Sequence, residues 1–290
     1  MAQKKRVLSP SEKRATVEPE NAELSVKRQC ELVGLAYSTW KYSARGERPE
    51  NVLLMKRLGE LYLKFPFYGV RKLSVVLKAN PKRIRRLKNK LGLKTLYPKK
   101  KLRGTVNTAH PKYPYLLRNL RIAEPDHVWS TDITYLKVNG QNVYLTAVID
   151  WHSRYVLSWE LSKTLEGEFC QSALKTALAS AKPEIFNTDQ GVQFTSERFV
   201  SILRERNIRV SMDGKGRCFD NILMERFWRT LKYEEIFLKE YESFEELRES
   251  IGRFIEFYNR ERVHQSLGYR TPAEVYYADK GRPTDHLKSA

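Results

Sequence analysis

Residues 126–238 carry an ordered run of strand and helix signals that few folds can accommodate. Residues 128–138 alternate through Trp129-Ser130-Thr131-Asp132-Ile133-Thr134-Tyr135-Leu136, Asn139-Gly140 is a hairpin-turn dipeptide, and 143–150 is a second apolar strand. Trp151-His152-Ser153-Arg154 turns the chain into a third strand at 155–161. A helix is predicted at 168–181, with Cys170, Leu174, Ala177 and Ala181 on one side and Pro183 ending it. A short strand at 184–188, a helix at 196–206, a fifth strand at 208–211 and a long helix at 221–238 follow. Ser243-Phe244-Glu245-Glu246 is a capping box opening a last helix, whose buried face is Leu247, Ile251, Phe254, Ile255 and Tyr258. Three meandering strands followed by alternating helices and strands predict one mixed five-stranded sheet with helices on both faces.

That order is the one of a ribonuclease-H-like α/β fold. Ahead of it the chain reads as all-α. Residues 1–22 lack periodicity and are expected to be a flexible arm. In 24–40, Val26, Cys30 and Val33 repeat at helical spacing, Gly34 supplies a stop and Ser38 can cap a second short helix, the outline of a helix-turn-helix. An amphipathic helix at 51–64 carries Leu54, Leu58, Leu61 and Tyr62 on one face, and a short helix follows around 70–77. Asn80-Pro81 then opens a helix to about Leu91 with an apolar stripe of Ile84, Leu87 and Leu91. Arg83, Arg85, Arg86, Lys88 and Lys90 cover its remainder, a pattern suited to a helix pressed against DNA. The expected domains are an arm at 1–22, a helical DNA-binding region at 23–92, a basic linker at 93–124, a catalytic core at 125–240 and a helical extension at 241–290.

Charge points the same way. Of a net charge of +19, residues 51–107 hold 17 Lys/Arg against a single acid, Glu60, whereas the chain from 108 onward is balanced. A basic block ahead of a neutral body is an electrostatic footprint for a polyanion, although a run such as Lys99-Lys100-Lys101 also suits a solvated linker. No apolar run approaches the ~20 residues of a membrane span, and no apolar stretch follows the basic start Met1–Arg6. Cys30, Cys170 and Cys218 lie far apart without Cys-x-x-Cys spacing, which argues against a disulfide framework or a cysteine zinc site. A soluble intracellular protein, cytoplasmic and without membrane contact, is expected.

Three acids stand where phosphodiester chemistry would need them. Asp132 interrupts an otherwise apolar strand, a costly placement unless it is paired or metal-bound. Asp189 lies just past the fourth strand, where ligands collect in α/β sheets. Glu225 sits near the start of the long helix, with Arg229 and Lys232 on its face at i+4 and i+7, although Glu225 and Arg229 alone would make an ordinary exposed pair. Carboxylates from separate elements can hold two Mg²⁺ ions, with Mn²⁺ expected to substitute.

Residues 125–278 resemble the integrase core of bacterial insertion-sequence transposases, the type related to retroviral integrases. The resemblance rests on Trp129-x-x-Asp132-Ile133-Thr134-Tyr135, on Thr188-Asp189-Gln190-Gly191-Val192-Gln193-Phe194-Thr195-Ser196, and on Asp220-Asn221-x-x-x-Glu225 with Leu231-Lys232 following. The tail Tyr258-Asn259-x-x-Arg262-x-His264-x-x-Leu267-Gly268-Tyr269-x-Thr271-Pro272 matches as well, and 35 residues separate Asp189 from Glu225, the family's spacing. Residues 24–107, with Phe67-Tyr68-Gly69-x-Arg71, are similar to the same family's N-terminal segment.

The resemblance implies a transposase of the DDE type that nicks element ends with water and then joins the freed 3′-hydroxyl to another phosphodiester. It implies that Asp132 bridges both metals, that Asp189 and Glu225 hold one each, and that Lys232 contacts DNA. It further implies double-stranded DNA partners (terminal repeats and target), a homo-oligomer, nucleoid association in a bacterium, and a product of an upstream frame as partner or fusion. The family block before Asp189 commonly begins His-Ser, whereas here it is Asn187-Thr188, and leucine heptads are absent. Asp150, Asp213 and Asp220 could lie around the metal ligands but read more simply as turn or cap residues, His110, His127, His152 and His286 as loop histidines, His264 as a structural hydrogen bonder, and Trp129, Trp151, Trp159 and Trp228 as core, with base stacking the alternative for Trp228. A non-catalytic DNA-binding relic of a transposase and a ribonuclease-H-type nuclease are the competing functions.

Overall fold

A computed structural model describes residues 8–43, 46–96, 113–213 and 221–278. By internal contacts the chain divides into two units, Met1–Lys56 and Arg57–Ala290. The first unit contains α1 (Pro10–Ala15), α2 (Val26–Val33) and α3 (Tyr37–Lys41), and α4 (Pro49–Lys64) begins in it. The expected arm thus carries a helix: Ser9 and Glu12 form a reciprocal capping box and Pro10 occupies the first turn, in a helix too short to show periodicity. Gly34 ends α2 in the left-handed region at φ 63, as expected. Ser38 does not cap α3. The N-cap is Ala36, without a side-chain bond, and Ser38 lies inside the helix.

In the second unit, α5 (Val70–Val76) and α6 (Pro81–Lys90) precede the sheet. Asn80 caps α6 by accepting a hydrogen bond from the Lys82 amide at 2.8 Å, and Pro81 fills the first position. The strands are β1 (Val128–Val138), β2 (Gln141–Asp150), β3 (Val156–Ser162), β4 (Ile185–Thr188) and β5 (Arg209–Met212), in the spatial order β3-β2-β1-β4-β5. β1, β2 and β3 are antiparallel neighbours, whereas β4 runs parallel to β1 and β5 parallel to β4. This is the mixed, ribonuclease-H-like sheet that the order of elements predicts.

Helices α7 (Glu168–Ser180), α8 (Val192–Thr195) and α9 (Glu197–Arg204) belong with one face, and α10 (Ile222–Glu234) and α11 (Phe244–Arg260) with the other. Period-2 alternation sorts the strands: Leu136, Val138, Val143, Leu145 and Ile149 pack with Phe227, Leu231 and Ile251, while Trp129 and Val148 pack with Leu174, Phe194 and Phe199. α10 stops at Glu234, short of the expected 238, and Ile236–Leu238 continues as a single 3₁₀ turn. Ser243 caps α11 through the Glu246 amide as predicted, and a further helix, α12 (Pro272–Ala278), ends the described chain.

Part of the expected linker is core. Leu117 is buried against Val128 and Ile185, with Tyr115, Leu116, Leu120 and Ile122 packed around it. The spacing of these side chains fits neither a helix nor a strand, so no period marks them. Residues 97–112, with Lys99–Lys101 and His110, lie outside the described residues, as do Cys218, Asp220 and His286.

Candidate active site

Asp132 shares the α10 face of β1 with Leu136 and Val138, two and three turns of the pleat further on. Ser130 pairs with Asn187 across β1 and β4, so two more residues of that register bring 132 beside 189. Thr188 pairs with Met212 across β4 and β5, so the next step brings 189 beside 213. Three aspartates therefore stand in line across three adjacent strands, Asp132 within β1 and Asp189 and Asp213 just past the ends of β4 and β5. Crowding shows in the acidity of Asp132. The Asp132 carboxyl is pushed up to about 7, first by burial and next by the charge of Asp189, with a smaller push from Asp213. Burial also raises Asp189 above the ordinary carboxylate range.

Each carboxylate is held. Asp132 Oδ1 accepts from the Ile133 amide at 2.8 Å, and its Oδ2 accepts from Trp228 Nε1 at 3.0 Å. Asp189 Oδ1 accepts from the Gly191 amide at 2.8 Å, and a Cβ at Gly191 would stand only 2.9 Å from that oxygen. Glycine is needed there for close approach rather than for an unusual backbone angle. Asp213 accepts at Oδ1 from Asn187 Nδ2 at 2.8 Å, and its carbonyl accepts from Gln190 Nε2.

Trp228 matters beyond packing. It lies on α10 three residues after Glu225, so its bond to Asp132 fixes which side of the helix faces the aspartates. Lys232, four residues further, is half-buried; burial lowers its pKa and the Asp132 charge pulls it back up. Glu225 stands exposed on the same side, immediately beyond residues 214–220, which lie outside the described residues. Asp132 and Asp189 are brought together, but among the described residues no three His, Cys, Asp or Glu side chains are gathered as a metal-holding group.

Other predicted residues are sorted by burial. Arg229 is exposed on α10, and Arg83, Arg85, Arg86 and Lys90 are exposed on α6. Lys88 is not on that basic face. It is 5% exposed, its ammonium donates to Thr95 Oγ1, and burial lowers its pKa, because position 88 continues the inward stripe of Ile84 and Leu87. Asp150 is a turn residue, as read: its carboxylate accepts from the Ser153 amide and hydroxyl and from the Asp126 amide. Two motifs meet in a buried ion pair. Arg262 donates from Nε and Nη2 to both Glu234 oxygens, each at 2.6 Å, while Lys72 Nζ approaches Glu234 at 3.9 Å and lies over the Tyr68 ring. His264 fits the structural part expected of it, set edge-on to Tyr258 and 3.1 Å from Arg262 Nη1.

Sequence reasoning missed Trp228 as a neighbour of the aspartates and set Asp213 aside as a turn residue. The i+3 spacing from Glu225 was the available sign for the first, and the β4–β5 register, which no sequence pattern shows, for the second.

Comparison with known proteins places the chain in a family. A family profile described as "Integrase core domain" matches residues 123–218, and a second with the same description matches 206–272. The InsK protein of insertion sequence element IS150 from Escherichia coli strain K12 is 33% identical over 231 residues, covering 76% of this chain and 81% of its own. The transposase InsF for insertion sequence IS3A of the same strain is 30% identical over 277 residues, covering 89% and 96%. The transposase for IS904 of Lactococcus lactis is 31% identical, covering 71% and 86%. Among solved structures, the HTLV-2 integrase catalytic core domain in complex with magnesium aligns with 54% of this chain and 99% of its own at 22% identity and a TM-score of 0.41. At this breadth of coverage, the chain belongs to the bacterial insertion-sequence transposases built on a retroviral-type integrase core, and it is a DNA transposase.

Proposed function

We propose that Asp132, Asp189 and Glu225 are the catalytic acids of this transposase, and that it cleaves element 3′ ends and transfers them to target DNA. One observation carries the reading: Asp132 and Asp189 are crowded, largely desolvated carboxylates, and Trp228 ties the Glu225-bearing helix to Asp132. The donor set fits a hard divalent cation, since it is all oxygen and burial together with the charge of Asp189 disfavours ionised Asp132 until a positive charge arrives. Asp132 would hold two Mg²⁺ ions jointly, Asp189 and Glu225 one each, and Mn²⁺ would substitute. The chemistry such ions supply is neutralisation of the scissile phosphate and activation of the attacking oxygen.

The chain's own residues do the rest. Trp228 and the Ile133 amide fix the rotamer of Asp132, and the Gly191 amide fixes Asp189. Lys232 and Arg229, on the Glu225 side of α10, neutralise DNA phosphates beside the acids. Arg83, Arg85, Arg86 and Lys90 give α6 a basic outer face suited to the element's terminal repeats, within a DNA-binding region at 23–92; the core is 125–240 and the extension 241–290. The working form is a homo-oligomer pairing two ends, alone or joined to the product of an upstream frame, in the bacterial cytoplasm at the nucleoid. No helix among the described residues is long and apolar enough to cross a membrane.

The test is end cleavage by Asp132→Asn, Asp189→Asn and Glu225→Gln beside wild type, with binding to the end duplex measured in parallel. Loss of cleavage at unchanged binding is expected for all three; cleavage retained by any variant removes that residue from the site.

A further inference from the structure

We propose that Arg154, Arg226 and Arg229 form a pocket for a backbone phosphate of bound DNA, on a flank of α10 distinct from the three acids. Arg154 lies in the turn between β2 and β3 with φ 66, a left-handed conformation uncommon for a side-chain-bearing residue. The nearest acid in sequence, Asp150, is fully engaged by Ser153 and Asp126. Arg154 Nε and Nη1 are closed off from solvent and meet no acceptor among the described residues. Two guanidinium nitrogens without an acceptor are costly, and Arg154, half-buried rather than sealed, borders a cavity from which an anion would offset that cost.

Arg154 borders a cavity of about 240 Å³ with Arg226, Arg229, Thr230, His264 and Ser266. Neither Arg226 nor Arg229 has an acidic partner among the described residues. Arg262 also reaches the cavity, but Glu234 already takes two of its nitrogens. Burial first, and then the charges of Arg262, Lys72 and Arg154, push the His264 pKa down to about 2. Fork-shaped guanidinium donors with hydroxyls nearby match a phosphate in shape and charge.

The occupant is a strand rather than a free ion. A second cavity, of about 290 Å³, shares Arg229, Thr230 and Arg262 with the first and is also lined by Arg71. Two arginine-bordered cavities that follow one another along α10, the second also lined by Glu234, suit successive phosphates of one backbone. Arg226 directly follows Glu225 but points about 100° around α10 from it, so a strand seated here runs along a neighbouring flank of the helix. The inference rests on the reading of α10 as the DNA-facing helix.

The test measures binding of full-length protein to an element-end duplex by anisotropy in EDTA, where the outcome does not depend on catalysis. Arg154→Met and Arg226→Gln are each expected to bind about 10-fold more weakly, with a log–log salt slope shallower by ~0.9, the value for one lost phosphate contact. Inorganic phosphate is expected to raise the melting temperature of wild type and not that of Arg154→Met, whose own melting temperature stays at or above wild type. Unchanged affinity and slope in both variants overturns the proposal, as does a lowered melting temperature of Arg154→Met with unchanged binding, which would mark a structural cation. If Arg154→Met fails to fold, Arg226→Gln at the exposed rim decides. Stabilisation by phosphate without any change in DNA binding places the pocket off the DNA path and also overturns it.

Discussion

Replacing Asp132 by Asn should change stability in a manner that reverses with pH. The carboxyl moves from its ordinary 3.8 to about 7 in the folded chain. Because that pKa is raised, the folded state holds a proton that the unfolded state releases. The stabilisation is therefore complete below pH 3.8 and lost as pH rises through 7. Fully expressed, the shift corresponds to about 4 kcal/mol. Asp132 keeps partial exposure, so solvent screening reduces this to roughly 2 kcal/mol. Asparagine has one acceptor oxygen where the carboxylate uses two, for Ile133 and Trp228, and losing one such bond costs about 1 kcal/mol. Metal-free Asp132→Asn should therefore melt below wild type near pH 4 and a few degrees above it near pH 8. Differential scanning fluorimetry in EDTA across pH 4–8 reads the difference. A difference that stays flat with pH would refute the crowding argument, whatever its sign.

Trp228→Phe keeps an aromatic ring but removes the donor to Asp132, and by the strength of hydrogen bonds to charged groups should slow cleavage about 10-fold or more at unchanged DNA affinity, read from single-turnover rates. Gly191→Ala puts a methyl 2.9 Å from Asp189 Oδ1 and should raise the Mg²⁺ concentration needed for half-maximal cleavage, with little change in melting. Glu234→Ala leaves Arg262 buried without its carboxylate and should cost about 3 kcal/mol in denaturant unfolding, the scale for stripping one partner from a buried pair.

Much of the site was legible because its residues break local rules. An acid within the apolar strand 128–138 and an acid at the end of 184–188 are anomalies that a sequence displays, and the strand order then brings them together. The hairpin at Asn139-Gly140 and the capped helix at Ser243 were equally readable, since their chemistry is local. Trp228 was not, because its partner lies 96 residues away and an indole on an apolar face looks like core. Lys88 misled for the opposite reason: composition made it part of a basic surface, while helical phase turned it inward to Thr95. α1 and α12 are too short to show a period, and the apolar residues of 113–124 pack irregularly against Val128 and Ile185.

The central claim is that Glu225 completes an acidic site with Asp132 and Asp189. A strand-transfer assay on the element's own flanking ends, in Mg²⁺ or Mn²⁺, with wild type beside Glu225→Gln, tests it most directly. Joined product from wild type alone, with equal end binding by both proteins, is the predicted result. Joined product from Glu225→Gln at the wild-type rate would contradict it and move the third acid elsewhere.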